Sequence, residues 1–218
     1  MATKPEKTYH DPEIGEIKLV RSAGLRRMSI KVHPLKGVRI NVPWLVPYGI
    51  AIAFFMSKKD WVISTIERQR QKYGDVKAMT PPEIEAMRAE AKRVLPGRLA
   101  ILAERYGFTY GRVTIRHNSS NWGSCSGRGN ISLNLNLVRL PRVLCDYVLL
   151  HELCHLRHHD HGPVFHLLLE HVCTDNLLKL AAEGDQEAIA LAREAAASKS
   201  KYPLDRVMTA SIRKFPLV

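Results

Sequence analysis

Apolar and polar residues alternate over the first part of the chain, which is the pattern of strands with one buried face. The alternation occurs in three short runs, residues 17–21, 28–32 and 38–42. Turn-forming residues at 22–24 and 34–37 separate these runs. We therefore predict a small antiparallel β-meander near the N-terminus.

After the meander, apolar residues recur at spacings of three and four, which is typical of amphipathic helices. A short apolar helix is predicted at 49–56 and an amphipathic helix at 59–73. Thr80 and the two prolines that follow it form a helix start, and the helix extends to about residue 106. Pro96 would interrupt this helix, so two pieces are an alternative to one.

The second half of the chain contains two more strands and three more helices. Strands at 112–116 and 131–137 flank a polar, glycine-rich loop. The helices are predicted from Pro141 to a break at 160–163, at 164–182, and at 187–198. Residues 199–218 show no clear period and are expected to be a loosely held tail.

Together these elements predict an α+β protein built in three parts. Residues 1–75 contain the β-meander and two helices, residues 76–183 form the central core with a small antiparallel sheet, and residues 184–218 contribute a helix and the tail. A chain of 218 residues is long enough for one ample core, or for one domain with an appended subdomain.

The helix that begins at Pro141 carries the pattern His-Glu-x-x-His at residues 151–155. On a helix, His151 and His155 are separated by roughly 40° around the axis, so both imidazoles point the same way. Glu152 is turned about 100° from His151 and can lie beside a metal ion rather than on it. A zinc peptidase needs this arrangement: two nitrogen ligands, an open position for water, and a carboxylate that takes the water's proton.

A solvated helix face that carries these residues by chance is the alternative interpretation. The flanking residues argue against it, because 148–150 and 153–154 are apolar. Burying two histidines and a glutamate costs free energy unless a metal ion or firm hydrogen bonds offset the cost. The sequence therefore favours a metal site.

A catalytic zinc site needs a third protein ligand. The candidates are His158, His159, His161, His166 and Glu170. His159 would stand roughly 12 Å from His151 along a straight helix, too far to share one ion, and His158 fails for a similar reason. His161 follows the expected helix break, where a chain that turns back can return to the metal. We favour His161, with Glu170 on the next helix as the alternative.

The chain is strongly basic, with a formal net charge of +12 from 33 lysines and arginines against 21 aspartates and glutamates. Such a surface attracts polyanions, so nucleic acid is a possible partner. The basic residues are spread along the chain, however, and a merely solvated basic surface is the competing interpretation.

Other features of the sequence set the expected surroundings of the protein. No segment has the length and apolar character of a membrane span, and the N-terminus lacks the apolar region of a signal peptide. We therefore expect a cytoplasmic location and no membrane partner. The four cysteines lack CxxC spacing and are expected to be free thiols.

Four ordered segments are similar to motifs of a known family. Residues 116–126, which end in WGSCS, and residues 131–134 match a loop and the strand after it. Residues 141–156 match a metal-binding helix, and residues 160–165 match the segment that follows. In these motifs the chain resembles the YgjP-like metal-dependent hydrolases, which are predicted zinc metallopeptidases, and more distantly the SprT-like proteases. The resemblance covers most of residues 19–172.

The resemblance implies a zincin-like metallopeptidase core that hydrolyses peptide bonds in a peptide or protein substrate. It implies Zn²⁺ as the cofactor, His151, His155 and His161 as metal ligands, and Glu152 as the catalytic acid and base. The more distant resemblance to the SprT-like proteases suggests, as an alternative, a protease that acts on DNA-bound proteins. A nucleic-acid-binding module with a structural zinc is a further alternative, although it needs a closed shell of four ligands.

The strand at 131–137 is the expected platform for substrate, which would pair with it as an added edge strand. Asn134 and Asn136 would share one face of that strand by alternation and are the predicted substrate-binding residues. Hydrogen bonding to backbone groups is their alternative role. The candidates for stabilising an oxyanion are Tyr147, Asn121 and Arg128.

Overall fold

A computed structural model describes residues 6–74 and 79–217. Near the N-terminus it contains one four-stranded sheet, and the predicted runs 17–21 and 38–42 lie in its two central strands. The strands are β1 (Glu6–Asp11), β2 (Gly15–Ser22), β3 (Ser29–His33) and β4 (Gly37–Pro43), in the order β1-β2-β4-β3. Ile17 and Leu19 of β2 and Ile40 of β4 are fully buried. This apolar face explains why β2 and β4 take the two central places.

The predicted antiparallel meander is wrong, because β2 and β4 pair in parallel. Two antiparallel hairpins, β1-β2 and β3-β4, lie side by side and are joined by that parallel pair. β3 contains no fully buried residue and therefore lies at an edge of the sheet. β1 is a polar strand that apolar alternation could not predict.

The two predicted helices of this region are confirmed as α1 (Tyr48–Met56) and α2 (Lys59–Tyr73). They pack on the sheet through Ala51, Phe55 and Val62, all fully buried. Gly74 ends α2 with a φ of 67°, a left-handed conformation that favours glycine. Sheet and helices form one compact unit, Met1–Ala78, and Met79–Val218 form a second.

The second unit begins with the long helix α3 (Pro81–Arg105), at whose start the Thr80 backbone N–H donates to the Glu83 carboxylate at 2.6 Å. The interruption predicted at Pro96 does not occur. Proline removes one backbone donor from a helix, but Leu95 and Leu99 are both buried and their packing holds the two halves on one core.

A three-stranded sheet follows, with β5 (Val113–Arg116), β6 (Gly123–Cys125) and β7 (Ile131–Asn134) in the order β5-β7-β6. The predicted antiparallel sheet is mixed instead, because β5 pairs in parallel with β7 while β6 pairs antiparallel. The predicted strand at 131–137 ends at Asn134 and continues as a 3-10 turn, Leu135–Arg139. β7 is the central strand, so it cannot accept an added edge strand. β6, which lies in the predicted loop, is an edge strand.

Four helices complete the second unit: α4 (Arg142–Cys154), α5 (Pro163–Ala182), α6 (Gln186–Ala197) and α7 (Pro203–Ile212). The predicted loose tail is wrong for residues 203–212. Leu204, Val207 and Met208 of α7 are buried in the same core as α4 and α5. The α+β class is confirmed. Within the described ranges, no helix combines the length and apolar character that a bilayer crossing requires.

Candidate metal centre

α4 is buried almost throughout, and its last turn carries the polar residues of the site. Every residue from Val143 to Leu150 is buried, as are Leu153 and Cys154. His151 and His155 are half-buried at this end, and Glu152 is only 5% exposed. The apolar flanks therefore anchor the helix and hold three polar side chains at the edge of the core.

The ring nitrogens of the three predicted ligand histidines converge. His151 Nε2 lies 3.2 Å from His155 Nε2 and 3.1 Å from His161 Nε2, and one ligand atom from each residue lies within 4.8 Å of the others. A tetrahedral zinc site with Zn–N bonds of 2.0–2.1 Å places its nitrogens about 3.3 Å apart. The cluster can therefore hold a metal ion.

His155 is oriented by a contact beyond the cluster. Its Nδ1 lies 3.1 Å from the carbonyl oxygen of His158. A carbonyl can only accept a hydrogen bond, so Nδ1 carries the proton and Nε2 keeps its lone pair for a metal ion. His158 thus contributes its backbone to the site, and its ring is not part of the cluster.

His161 reaches the cluster because the chain turns back after α4. Gly162 precedes α5 in an extended conformation and Pro163 is the first residue of that helix, so the break expected from the sequence occurs. The alternative ligand, Glu170, lies elsewhere: its carboxylate accepts hydrogen bonds from the Leu204 and Asp205 backbone N–H groups at 2.9 and 3.1 Å. Glu170 therefore caps the start of α7.

Phe165 forms the apolar floor under the histidines. Its ring is fully buried and stacks on His155, with centroids 4.6 Å apart. The centroids of His151 and His161 lie 5.0 and 4.8 Å from it. This packing fixes the three imidazoles relative to one another before any ion binds.

Burial keeps two of the imidazoles, those of His151 and His155, neutral. Burial, reinforced by the neighbouring His155 and His161, lowers the pKa of His151 to about 4. Burial also lowers the pKa of His155. Neutral imidazole is the form that binds metal ions, so these two residues are in the ligand form at neutral pH.

Burial shifts the pKa of Glu152 in the opposite direction to that of the histidines, because the neutral form of a carboxyl group is the protonated one. Burial raises the pKa of its carboxyl group to about 7. Among the described residues, its buried Oε2 has no hydrogen-bond partner. A carboxyl group with a pKa near neutrality and a vacant acceptor atom is suited to proton transfer.

A cleft of about 290 Å³ opens beside these residues. It is bounded by Asn121, Trp122, Gly123, Tyr147, Val148, His151, Glu152, Thr209 and Ile212. The last two belong to α7 and were not predicted, because the sequence of α7 shows no motif. The Tyr147 hydroxyl donates to Asp205 and lies 3.1 Å from the Thr209 hydroxyl, which ties α4 to α7.

The predicted substrate-binding residues, Asn134 and Asn136, are buried, being 1% and 0% exposed. Asn134 Nδ2 donates to the carbonyls of Asn118 and Asn121, each at 2.8 Å, and its Oδ1 accepts from the backbone N–H of Asn136. Asn136 lies outside the strand, so the two do not share a strand face. Their side chains shape the loop before β6, and substrate contact by either residue is not supported.

Residues 83–179 match the family model of the YgjP-like metallopeptidase domain. The match confirms the resemblance found in the motifs, and it covers all of α4, the three histidines and Glu152. It ends before α6 and α7. No curated protein and no solved structure matches the chain.

Proposed function

Because residues 83–179 form a YgjP-like metallopeptidase domain, we propose that the protein is a zinc-dependent peptidase. His151, His155 and His161 hold the metal ion, and Glu152 is the general base. One observation carries the proposal: three imidazoles converge on one point, and one of them, His151, lines a cleft together with the buried carboxyl group of Glu152.

The donor set favours zinc and a catalytic rather than a structural site. Three imidazole nitrogens leave a fourth coordination position for water, as in catalytic zinc sites. A structural site would need a fourth protein ligand, and no other side chain of the described residues joins the cluster. Cys154 is fully buried on α4, and burial raises the pKa of its thiol to about 12, which disfavours the thiolate that zinc binds.

When bound, the metal ion supplies a Lewis acid that lowers the pKa of a coordinated water. Glu152 then accepts the proton of the attacking water and passes it to the nitrogen of the leaving amine. Burial raises the pKa of this carboxyl group to about 7 in the metal-free protein, and the positive charge of a bound metal ion would lower it and favour the carboxylate that acts as the base.

In this proposal the substrate pairs with the free edge of β6, and not with β7 as the sequence predicted. β6 pairs with β7 on one side only. An extended peptide added to the other side would form main-chain hydrogen bonds beside Glu152. Gly123 of β6 lines the cleft and lacks a side chain that would block this approach.

The proposal is tested with the purified full chain and three single variants. Metal analysis of the wild type is expected to give one zinc per chain, and hydrolysis of the unstructured protein β-casein is expected to stop when zinc is removed. Glu152→Gln should keep zinc and lose hydrolysis, whereas His161→Ala should lose both.

The matched control is His159→Ala, an exposed histidine of the same turn that lies outside the cluster. It should retain both zinc and hydrolysis. Full activity of Glu152→Gln on a protein that the wild type cleaves would refute the general-base role. Undiminished zinc in His161→Ala would remove that residue from the ligand set.

A further inference from the structure

The small sheet of the second unit has a second face that lies away from the core. Ile115, Ile131 and Leu133 pack into the core, so the residues between them in sequence face outward. Thr114, Ser132 and Ser124 lie in register across β5, β7 and β6 and form one row of hydroxyl groups. The three residues line one groove of about 710 Å³.

Two arginines give this groove a positive charge. Arg112 and Arg116 line it, and both are exposed. Arg116 shares a face with Thr114 by strand alternation within β5, and Arg112, which directly precedes the strand, lines the same groove. No aspartate or glutamate is among the residues that line the groove, and neither guanidinium is paired with a carboxylate in the described part of the chain. Both are therefore available to an anionic ligand.

The wall of the groove is held in a fixed shape. Asn118 Oδ1 accepts hydrogen bonds from the Ser120 and Asn121 backbone N–H groups at 3.0 and 3.1 Å. The buried Asn134 binds the carbonyls of Asn118 and Asn121 from beneath. The loop between β5 and β6 therefore has a defined conformation against which a ligand can bind without ordering it first.

The groove and the cleft of the metal centre lie on opposite sides of β6 and share one lining residue. Asn121 lines both. β6 separates them, since Gly123 faces Glu152 and Ser124 faces the groove. In a peptide added to the free edge of β6, alternate side chains would lie on the two sides of the sheet, one set over the metal centre and the other over the groove.

We propose that this groove binds aspartate and glutamate side chains of the polypeptide that the peptidase cleaves, and so selects acidic segments. The inference rests on the proposed function. Guanidinium groups bind carboxylates through paired, charge-assisted hydrogen bonds, and the hydroxyl row between the arginines and β6 supplies further donors.

Nucleic acid, the other polyanion suggested by the net charge, fits the groove less well. Single-stranded nucleic acid is usually held by aromatic side chains on which its bases stack. The only ring among the residues that line the groove is the imidazole of His117. An acidic polypeptide needs no stacking surface, and as an added strand on β6 it would reach both the groove and the cleft.

Binding is measured by fluorescence anisotropy with two rhodamine-labelled peptides, a dodecamer of alternating serine and glutamate and its serine–glutamine counterpart. All proteins carry Glu152→Gln, so that no peptide is consumed. The glutamate peptide is expected to bind roughly tenfold more tightly, the effect of one or two charge-assisted hydrogen bonds. The double variant Arg112→Gln/Arg116→Gln should abolish this preference.

A matched double variant, Arg193→Gln/Arg213→Gln, removes the same charge from exposed positions on and just after the C-terminal helices and should keep the preference. Equal binding of the two peptides, or a preference that survives the Arg112→Gln/Arg116→Gln change, would overturn the proposal. So would tighter binding of a single-stranded DNA dodecamer that depends on the same two arginines.

This experiment does not depend on turnover, so its outcome is separate from that of the proposed function. An inactive or zinc-free wild type would refute the peptidase while leaving the binding result intact. A peptidase that cleaves β-casein but binds both peptides equally would retain the proposed function and lose only the acidic selectivity.

Discussion

Gly123 and Glu152 approach so closely that a side chain on the glycine would collide with the Glu152 carboxyl group. A Cβ atom built at Gly123 would lie 2.6 Å from Glu152 Oε1 and 2.7 Å from its Cγ. Since Glu152 is buried against the core, it has little room to yield. The glycine of the WGSCS segment thus sets the position of the proposed general base.

Gly123→Ala should therefore impair hydrolysis without removing the metal ion. Displacing the carboxylate by about 1 Å is expected to lower kcat/KM on the order of 100-fold. Zinc content should stay unchanged, because the three atoms nearest to the added Cβ all belong to Glu152 and none to a histidine. The measurement pairs β-casein hydrolysis with metal analysis. Gly127→Ala is the control, because a Cβ there meets no atom within 4 Å, and its activity should equal that of the wild type.

The buried carboxyl group of Glu152 should make the metal-free protein less stable as pH rises. Its folded pKa of about 7 exceeds the ordinary value of 4.5, so the folded state binds the proton more tightly than the unfolded state. The stabilisation from that proton is fully present below pH 4.5 and is lost as pH rises through 7. The difference between the folded and the ordinary pKa corresponds to a loss of about 3 kcal/mol.

Urea denaturation of EDTA-treated protein tests this dependence. Glu152→Gln should match the wild type in unfolding free energy near pH 4.5 and exceed it by up to about 3 kcal/mol at pH 8. Comparing the two proteins at each pH cancels the contribution of His151, whose lowered pKa gives stability above pH 6.5 that is lost toward pH 4. A difference that does not change with pH would contradict the burial of a titrating carboxyl group.

The ion pair between Arg98 and Asp146 should be essential to the core of the second unit. Asp146 is fully buried on α4, where its carboxylate accepts hydrogen bonds from Arg98 and from Asn176 Nδ2. Arg98→Met leaves a buried carboxylate without its charge partner, which is expected to cost about 3–5 kcal/mol of unfolding free energy. Arg93→Met is the control, since Arg93 pairs with Glu90 on the exposed side of α3 and should change stability by less than about 1 kcal/mol.

α7 should contribute to stability as a part of the core. Leu204 is 2% exposed, so Leu204→Ala is expected to lower the unfolding free energy by about 2–5 kcal/mol. Arg206 on the same helix is exposed, and Arg206→Ala should change it by no more than about 0.5 kcal/mol. Equal stability of the two variants in urea denaturation would show that α7 is not packed on the core.

Local signals in the sequence predicted the helices well and the sheets poorly. Helix α2 begins and ends where the sequence predicts, because a period of three to four and a terminal glycine are encoded within a few residues. Strand pairing depends on residues far apart, and nothing within 17–42 distinguishes a meander from two hairpins joined in parallel. β1 and β6 escaped prediction since their residues are mostly polar or small.

The candidate site shows the same difference between features encoded within a few residues and features that depend on distant residues. The distance along a helix between two ligands of one ion favoured His161 over its neighbouring histidines. The structure brings the ring of His161 next to that of His151. The burial of Asn134 was not predictable, because strand alternation says which residues share a face but not which strand lies at the centre. Asp205 and Thr209 were missed because they approach Tyr147 only through tertiary packing of α7.

α7 follows the three histidines and Glu152 in the sequence, and this order also determines when each part of the site is made during synthesis. The histidines and Glu152 leave the ribosome before Thr209 and Ile212, which bound the cleft. Since chains fold from the N-terminal side as they emerge, the proposed metal ligands are present before the cleft is closed on its α7 side. Until α7 has packed, the cleft beside Glu152 lacks its boundary at Thr209 and Ile212, so a newly made chain has an incomplete site for binding an extended polypeptide.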